Sequence, residues 1–600
     1  MFSRSSTLAA FVFGVVGVLP AAGKLYDSPS QLPSTNKYDY VVIGAGAGGA
    51  TVAARLSEDS SVKVLLLEAG VNNAGNLGVE IPFLDVTLSP NTAIDWNYTT
   101  TSQPGLDGRS IPYPRGKLLG GSTSINFMSY NRGSQSDWDR YARVTGDQGW
   151  SWNSMQKYFK KLERLTKPAD NHNTAGEVNP SIHGTSGPVA ISLGGVSLNI
   201  DPLVIGATKG SKEFPFNEDQ NDGKMLGIGW TQCTIDGGER VSSATAYLSP
   251  NENRTNLDVV INAQATKLIQ TGNDHGTPVF QGVQFASSAS GPRFVVNATK
   301  EVIVSAGAIG SPQLLLLSGI GPKTELEPLG IKTVVNNPYI GKNFQDHPLL
   351  SNSFVVNSTG AVTIDDINRN DSLRAELLQQ WTNNRTGDFV IGSPNQLGWD
   401  RVPQSVLSHE QDPSSGPDSP HFEFLIFDGF VSFVTAPPTE GHYLTVLTAV
   451  VAPAARGTLT LNSTNPFDFP NIDPGLLNSQ IDVTTMREAV KAVRRFVAQP
   501  SWKGYVVSEY PGLANATTDA QIESYVRANS ATIYHPASTI PMGSKSDKTA
   551  PLNPDLTVKG VKGLRVVDAS VVPFIPEAHP QGVWYAIAER AADLIKATHY

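Results

Sequence analysis

Two nearly continuous apolar blocks, Tyr38–Ile43 and Val62–Leu67, lie close together near the start of the chain. Neither alternates strictly with polar residues, so both read as buried parallel strands. Between them Ala47–Leu56 has helix-forming composition. Further along, Leu257–Ile261 and Arg293–Ser305 are strand-like, and Ile309–Leu317 reads as the start of a helix. Residues from about 150 to 240 are richer in Asn, Gly and Pro and lack strong helical periodicity. From Asp346 to about Asn529 strand and helix signals mix, broken by Pro- and Ser-rich loops such as Asp412–Pro420. Leu564–Val567 resembles a strand. Gln581–Thr598 predicts an amphipathic helix with Val583, Ile587, Ala591 and Leu594 on one face. Lys24–Lys37 is a polar, proline-bearing lead-in. The sequence has no internal repeat, no heptad run and no metal-type Cys/His cluster.

The turn after the first block carries chemistry. Gly44, Gly46 and Gly49 form G-x-G-x-x-G, and Glu68 ends the second block 19 residues after Gly49. Strand, glycine turn, helix, strand and acid together are the context of a dinucleotide-binding fingerprint. Gly44 permits the tight turn, Gly46 admits a pyrophosphate to the backbone, and Gly49 lets helix and strand pack closely. The helix N-terminus offers free N–H groups to phosphates. Glu68 is placed to accept hydrogen bonds from a ribose 2′-OH.

Six hundred residues exceed one ordinary core and predict two domains. A net charge of −9 disfavours a nucleic-acid partner. Residues 1–23 read as a secretory signal peptide. Arg4 supplies the basic region, Leu8–Leu19 an apolar core of 12 residues, too short to span a membrane, and Ala21 and Gly23 the small residues before cleavage. Eight N-x-S/T sequons, at Asn97, Asn253, Asn297, Asn357, Asn370, Asn384, Asn462 and Asn515, agree with export as a glycoprotein. Cys233 is the only cysteine, so no intramolecular disulfide forms and this thiol is expected to be buried and inert.

A second glycine-rich segment, RGKLLGGSTSINFMSYNRG, begins at Arg115. Gly120 and Gly121 let the backbone run close to something flat or anionic, with Ser122 and Thr123 ready to hydrogen-bond it. Gly116, Leu119–Thr123, Ile125, Asn126, Tyr130, Gly133 and Asp139 match the first signature of the glucose–methanol–choline (GMC) oxidoreductase family. Gly307, Ala308, Ser311, Pro312, Leu314, Leu315 and Ser318–Gly321 match the second. IDWNYTT (94–100), GERVSSATAYLSP (238–250), IGKNFQDHP (340–348) and VDAS (567–570) resemble the family too, so the resemblance spans about Tyr38 to Thr598.

The resemblance implies an α/β fold: a Rossmann-like FAD-binding domain over about 38–346 and a second α+β substrate-binding domain, an antiparallel sheet plus helices. That second domain comes mainly from 347–529 with part of 150–240. A C-terminal return, 530–600, carries two histidines and completes the first domain. The resemblance implies FAD as cofactor, with Gly120–Asn126 against the flavin and Asp568 among the cofactor-binding residues. Some relatives attach the flavin covalently through a histidine just before the Asn126 position. Ile125 stands there, so non-covalent FAD is expected.

His535 in SATIYHPAST and His579 in PEAHPQG match the family's active-site pair. A neutral imidazole suits removal of a hydroxyl proton while hydride passes to flavin N5, and a second can orient the hydroxyl. His535 is read as the base and His579 as its hydrogen-bonding partner. His347 is expected to be structural or near the cofactor, and His599 solvated. Glucose oxidases carry an arginine four residues before the first histidine, where this chain has Ala531, which argues against glucose. Tyr534 occupies the position of an aromatic beside the substrate in aryl-alcohol oxidases, suiting a flat alcohol. Ser538 replaces the glycine of the commoner H-P-V-G-T, which reshapes the pocket. The leading expectation is a secreted fungal oxidase of aryl, furanic or allylic primary alcohols using O2. A quinone-dependent dehydrogenase, an enzyme of one secondary-metabolite intermediate and a non-redox lyase or cyclase are the alternatives.

Overall fold

The computed structural model describes residues 24–358, 360–407 and 411–599; the expected signal peptide lies outside them. The first sheet has eight strands. Its parallel centre runs Leu257–Val260, Val64–Leu67, Tyr38–Ile43 and the end of Phe294–Val304, with Leu564–Val566 beside the last. The start of Phe294–Val304 pairs antiparallel with Thr277–Ala286, which forms a hairpin with Gln264–Asp274. One strand therefore serves both a nucleotide-type parallel sheet and an antiparallel wing. Leu25–Tyr26, in the stretch read as a polar lead-in, adds a parallel edge strand against Val259 and Val260.

Helix α1 (Ala47–Leu56) follows the glycine turn. Gly49 is where it meets the turn: a Cβ there would stand 1.9 Å from the Gly44 carbonyl oxygen, so only glycine permits this helix–strand distance. Helix α2 (Trp152–Leu162) contradicts the expectation of no helix periodicity between 150 and 240. It buries Trp152, Met155, Tyr158, Phe159 and Leu162 on one face, each worth about 1.5–3 kcal/mol on burial. The apolar stripe is there in sequence, but the Asn-, Gly- and Pro-rich flanks obscured it. Helix α3 (Gly307–Leu317) follows the long strand.

The second sheet has seven strands, all antiparallel. Its order is Val506–Glu509, Pro348–Val356, His442–Val450, Phe422–Phe427, Gln396–Asp400 and Gly227–Trp230, with Ser530–Thr532 also on Pro348–Val356. Helix α4 (Gln480–Val497) packs across it through Val483, Met486, Val490, Val493 and Phe496.

Helix α5 (Gln581–His599) returns to the first domain against α1 and α2. The expectation of one apolar face needs correcting: Val583, Tyr585, Ala586, Ile587, Ala588, Glu589, Arg590, Ala591 and Ala592 are all buried, and Leu594 only partly. Buried Glu589 is paired with Arg55 at 2.7 Å and Tyr247 at 2.8 Å, which lets a polar position sit inside. His599 is not simply solvated, since its Nε2 lies 2.8 Å from Glu301. Cys233 is buried with Met128 and Ile235, and burial pushes its thiol up to about 12. All eight sequon asparagines are exposed. Among the described residues no helix is long and apolar enough to cross a membrane.

Candidate active site

A single cavity of about 910 Å³ runs from the glycine turn to the two C-terminal histidines. At one end Gly44, Gly46 and Glu68 line it; at the other His535 and His579 do, with Gly121, Ser122, Thr123, Ile125, Asn126 and Asp568 along its wall. Gly49 packs behind the turn, and Gly120, with a positive φ of 90°, stands behind the wall rather than in it. Gly121 presses its backbone onto the turn: a Cβ on it would lie 2.9 Å from Gly46 Cα. The two glycine segments thus make one cradle with no side chain between them.

Glu68 is buried, and its two oxygens accept from the Ala45 and Gly70 amides at 2.8 Å each. Burial pushes its carboxyl up to about 7 against the pull of those amides. Asp568 accepts from the Gly307 amide at 2.9 Å and from Ser311 at 2.5 Å, with its other oxygen on Ser570. It pins the C-terminal return to the start of α3. Asn126 donates to Gln581 at 3.1 Å and accepts from Arg240 at 2.8 Å. The Thr123 hydroxyl donates to the Gly120 carbonyl, and Ser122 accepts from Arg115 at 2.9 Å. The Ile125 side chain belongs to an apolar cluster with Val79, Leu88 and Leu118.

Sheet register places His535. Ser530–Thr532 pairs with the start of Pro348–Val356, Thr532 opposite Pro348, and the Ile533 amide then donates to the His347 carbonyl. His347 and His535 come side by side, Nδ1 to Nδ1 at 3.1 Å. Asp346 fixes both backbones, one oxygen accepting from the His347 and His535 amides at 2.8 Å each. Its other oxygen accepts from Tyr113 and Thr532 at 2.5 Å. Tyr534 adopts φ 65°, a left-handed conformation that costs a bulky residue about 1–3 kcal/mol. Its amide donates to Thr532 at 2.8 Å and its carbonyl accepts from Arg115 at 2.6 Å, so hydrogen bonds on both sides hold the strained step into His535.

The His535 and His579 rings are perpendicular with centroids 5.1 Å apart. His579 Nε2 lies 3.0 Å from a carboxylate oxygen of buried Glu423, on strand Phe422–Phe427. Burial first, then the neighbouring His579, His347 and Arg115, hold His535 well below 6.5. His535 is therefore neutral at neutral pH and able to accept a proton. Around the pair the cavity is lined by Phe127, Phe433, Tyr534, Leu349, Leu425 and Leu447. Phe433 stands edge-on to both Phe127 and Tyr534.

The glycines, Glu68, the histidines and Tyr534 were readable as local motifs. The sequence alone does not single out Arg115, Glu423, Phe127 or Phe433. Arg115 opens the second glycine segment, a position that could have drawn attention; nothing in the sequence ties Glu423 or Phe433 to the histidines. His347 does not line the cavity, and its nearest functional neighbour is His535 rather than the cofactor cradle.

Residues 38–349 and 453–588 match the N- and C-terminal domains of the GMC oxidoreductases. The chain is 39% identical over 591 residues to Dehydrogenase eriK of Hericium erinaceus, covering 96% of each. It is 36% identical over 602 residues to a pyranose dehydrogenase of Agaricus xanthodermus, covering 98% of each. Among solved structures, formate oxidase of Aspergillus oryzae superposes with a TM-score of 0.86 at 31% identity, over 95% of this chain and 99% of that one. A fungal aryl-alcohol oxidase gives 0.80 at 25%, over 94% and 99%.

Proposed function

The chain belongs to the GMC oxidoreductase family, and from that premise we propose that it oxidises a primary aryl, furanic or allylic alcohol to the aldehyde. The residues present suit FAD. The side-chain-free cradle of Gly46 and Gly121 and the N-terminus of α1 would hold the pyrophosphate, Glu68 the adenosine ribose, and Gly121–Asn126 the flavin end. When bound, FAD supplies the acceptor for the hydride released from the carbinol carbon. His535 takes the hydroxyl proton, and His579, beside the Glu423 carboxylate, orients the hydroxyl and steadies developing alkoxide charge. The aromatic and aliphatic walls shield the site from water and match a flat apolar group better than a sugar, whose hydroxyls would meet few partners there. The observation that carries this reading is the perpendicular histidine pair at one end of the cavity whose other end is the glycine turn.

Anaerobic mixing of the yellow holoprotein with benzylic, furanic, allylic and sugar alcohols tests it. We expect bleaching by the unsaturated primary alcohols; bleaching by sugars alone would overturn the substrate class. Readmitted air should restore the colour with release of H2O2. A quinone acceptor is the second reading, supported by relatives that are named dehydrogenases, and slow reoxidation in air with fast reoxidation by a quinone would establish it.

The same assay predicts a pH profile. A base must be unprotonated to act, and His535 is held well below 6.5 by burial and by His579, His347 and Arg115. Flavin reduction should stay near its plateau as pH falls through 6.5 and be lost only further down. A half-maximal point at or above 6.5 would count against His535 as base.

FAD should also come away freely. Ile125, on the cavity wall, offers no nucleophile. Acid denaturation followed by filtration should leave the yellow colour in the filtrate; colour retained on the protein would reveal a covalent link through another residue.

A further inference from the structure

We propose that His347 is a positioning residue that fixes the tautomer of His535, holding the proton on Nδ1 so that Nε2 presents its lone pair to the cavity. The proposal rests on the reading of His535 as the base. Two imidazole nitrogens 3.1 Å apart form a stable contact only if one carries hydrogen and the other a lone pair. In one arrangement His535 Nδ1–H donates to His347 Nδ1, and Nε2 of His535 is free to accept a proton. In the other His347 donates, and His535 shows the cavity an N–H that cannot act as a base.

The surroundings favour the first. The Val451 carbonyl favours a proton on the His347 ring. With Nδ1 of His347 facing His535, the place for that proton is Nε2, which has no aligned hydrogen bond to another group among the described residues. Burial holds His347 itself down at about 3, so it stays neutral and keeps one lone pair to offer. The arrangement is rigid. Asp346 ties both backbones, strand pairing fixes their register, and the His347 side chain is fully buried with no access to the cavity. When His535 takes the substrate proton on Nε2, its Nδ1–H remains on His347. The developing imidazolium keeps its hydrogen bond without moving.

The test uses holoenzyme with two substitutions. In His347→Asn the side-chain amide oxygen would fall close to the place of the imidazole Nδ1 and can accept from His535, so this variant keeps the acceptor; His347→Leu fills the space without one. Both should retain FAD. His347→Leu should lower the rate of anaerobic flavin reduction about 10- to 100-fold, part of the roughly 10²–10⁴ that base assistance supplies, with alcohol affinity unchanged. His347→Asn should recover most of that loss. Equal impairment in both variants, together with a falling melting temperature, would mean a packing role only, and near-wild-type rates in both would also overturn the proposal.

A second readout does not depend on turnover. Histidine-selective ¹⁵N labelling of the oxidised holoenzyme, with His535 assigned by its loss in His535→Ala, should show Nδ1 protonated and Nε2 bare. That pattern should be lost in His347→Leu and kept in His347→Asn. A protonated Nε2 in the unmodified enzyme sinks the inference even if alcohols bleach the flavin. The expected pattern in an enzyme that no alcohol bleaches would leave the inference standing and remove the proposed function instead.

Discussion

Replacing His535 by alanine lowers anaerobic flavin reduction by about 10²–10⁴-fold while the protein stays yellow. The two halves of that expectation have separate structural causes. Removing the ring deletes the proposed proton acceptor, while His579 keeps its place beside the Glu423 carboxylate. The groups proposed to hold FAD, Gly46, Glu68 and Gly121, stand at the far end of the cavity. The local backbone is also protected, because Asp346 holds the His535 amide rather than its side chain. Stopped-flow absorbance at the flavin band measures the first half and the absorbance ratio of the purified protein the second. Turnover within about tenfold of the parent, well short of a base's usual worth, would remove His535 from its role.

The second large effect is expected at a residue that does no proton chemistry. Arg115 spans the two halves of the site, with Nε donating to Ser122 in the glycine segment and Nη1 to the Tyr534 carbonyl. Arg115→Ala leaves the Tyr534 carbonyl without this donor, an omission worth about 1–3 kcal/mol for a buried group. It also releases the brace on a left-handed residue that stores a similar amount. Each 1.36 kcal/mol is about tenfold in rate, so the expected loss in flavin reduction is about 10- to 100-fold through misplacement of His535. Arg115→Lys should not rescue it, because one ammonium cannot reproduce the planar fork that serves two acceptors. Kinetics of both variants, with melting temperatures as control, decide the matter. A lysine variant equal to the parent would show that charge alone suffices.

Local motifs made the nucleotide turn and the histidines readable. A glycine turn, an acid at a strand end and a histidine before a helix are demands that a bound group places on neighbouring residues. His347 and His535 are far apart in sequence and meet only because a short strand pairs in one register with another. Glu423 reads as an ordinary strand position until the sheet turns it toward His579. Helix α2 is hidden in the sequence because its aromatic stripe sits among turn-forming residues, and the all-round burial of α5 is hidden because its polar residues are paired inside the molecule. Periodicity reports which residues share a face, whereas the partner that a face meets is set by tertiary packing.

The last strand and α5 are structural parts of the first domain, not an appendage to it. Leu564–Val566 lies beside the strand that joins both portions of the first sheet, and α5 packs on α1. During synthesis, therefore, the nucleotide-binding segment emerges first but cannot close its core until α5 has been translated and has left the ribosome. A premature stop before α5 would remove the helix that packs on α1 together with cavity-lining Gln581 and Trp584, leaving an unfinished cofactor site rather than a shortened enzyme.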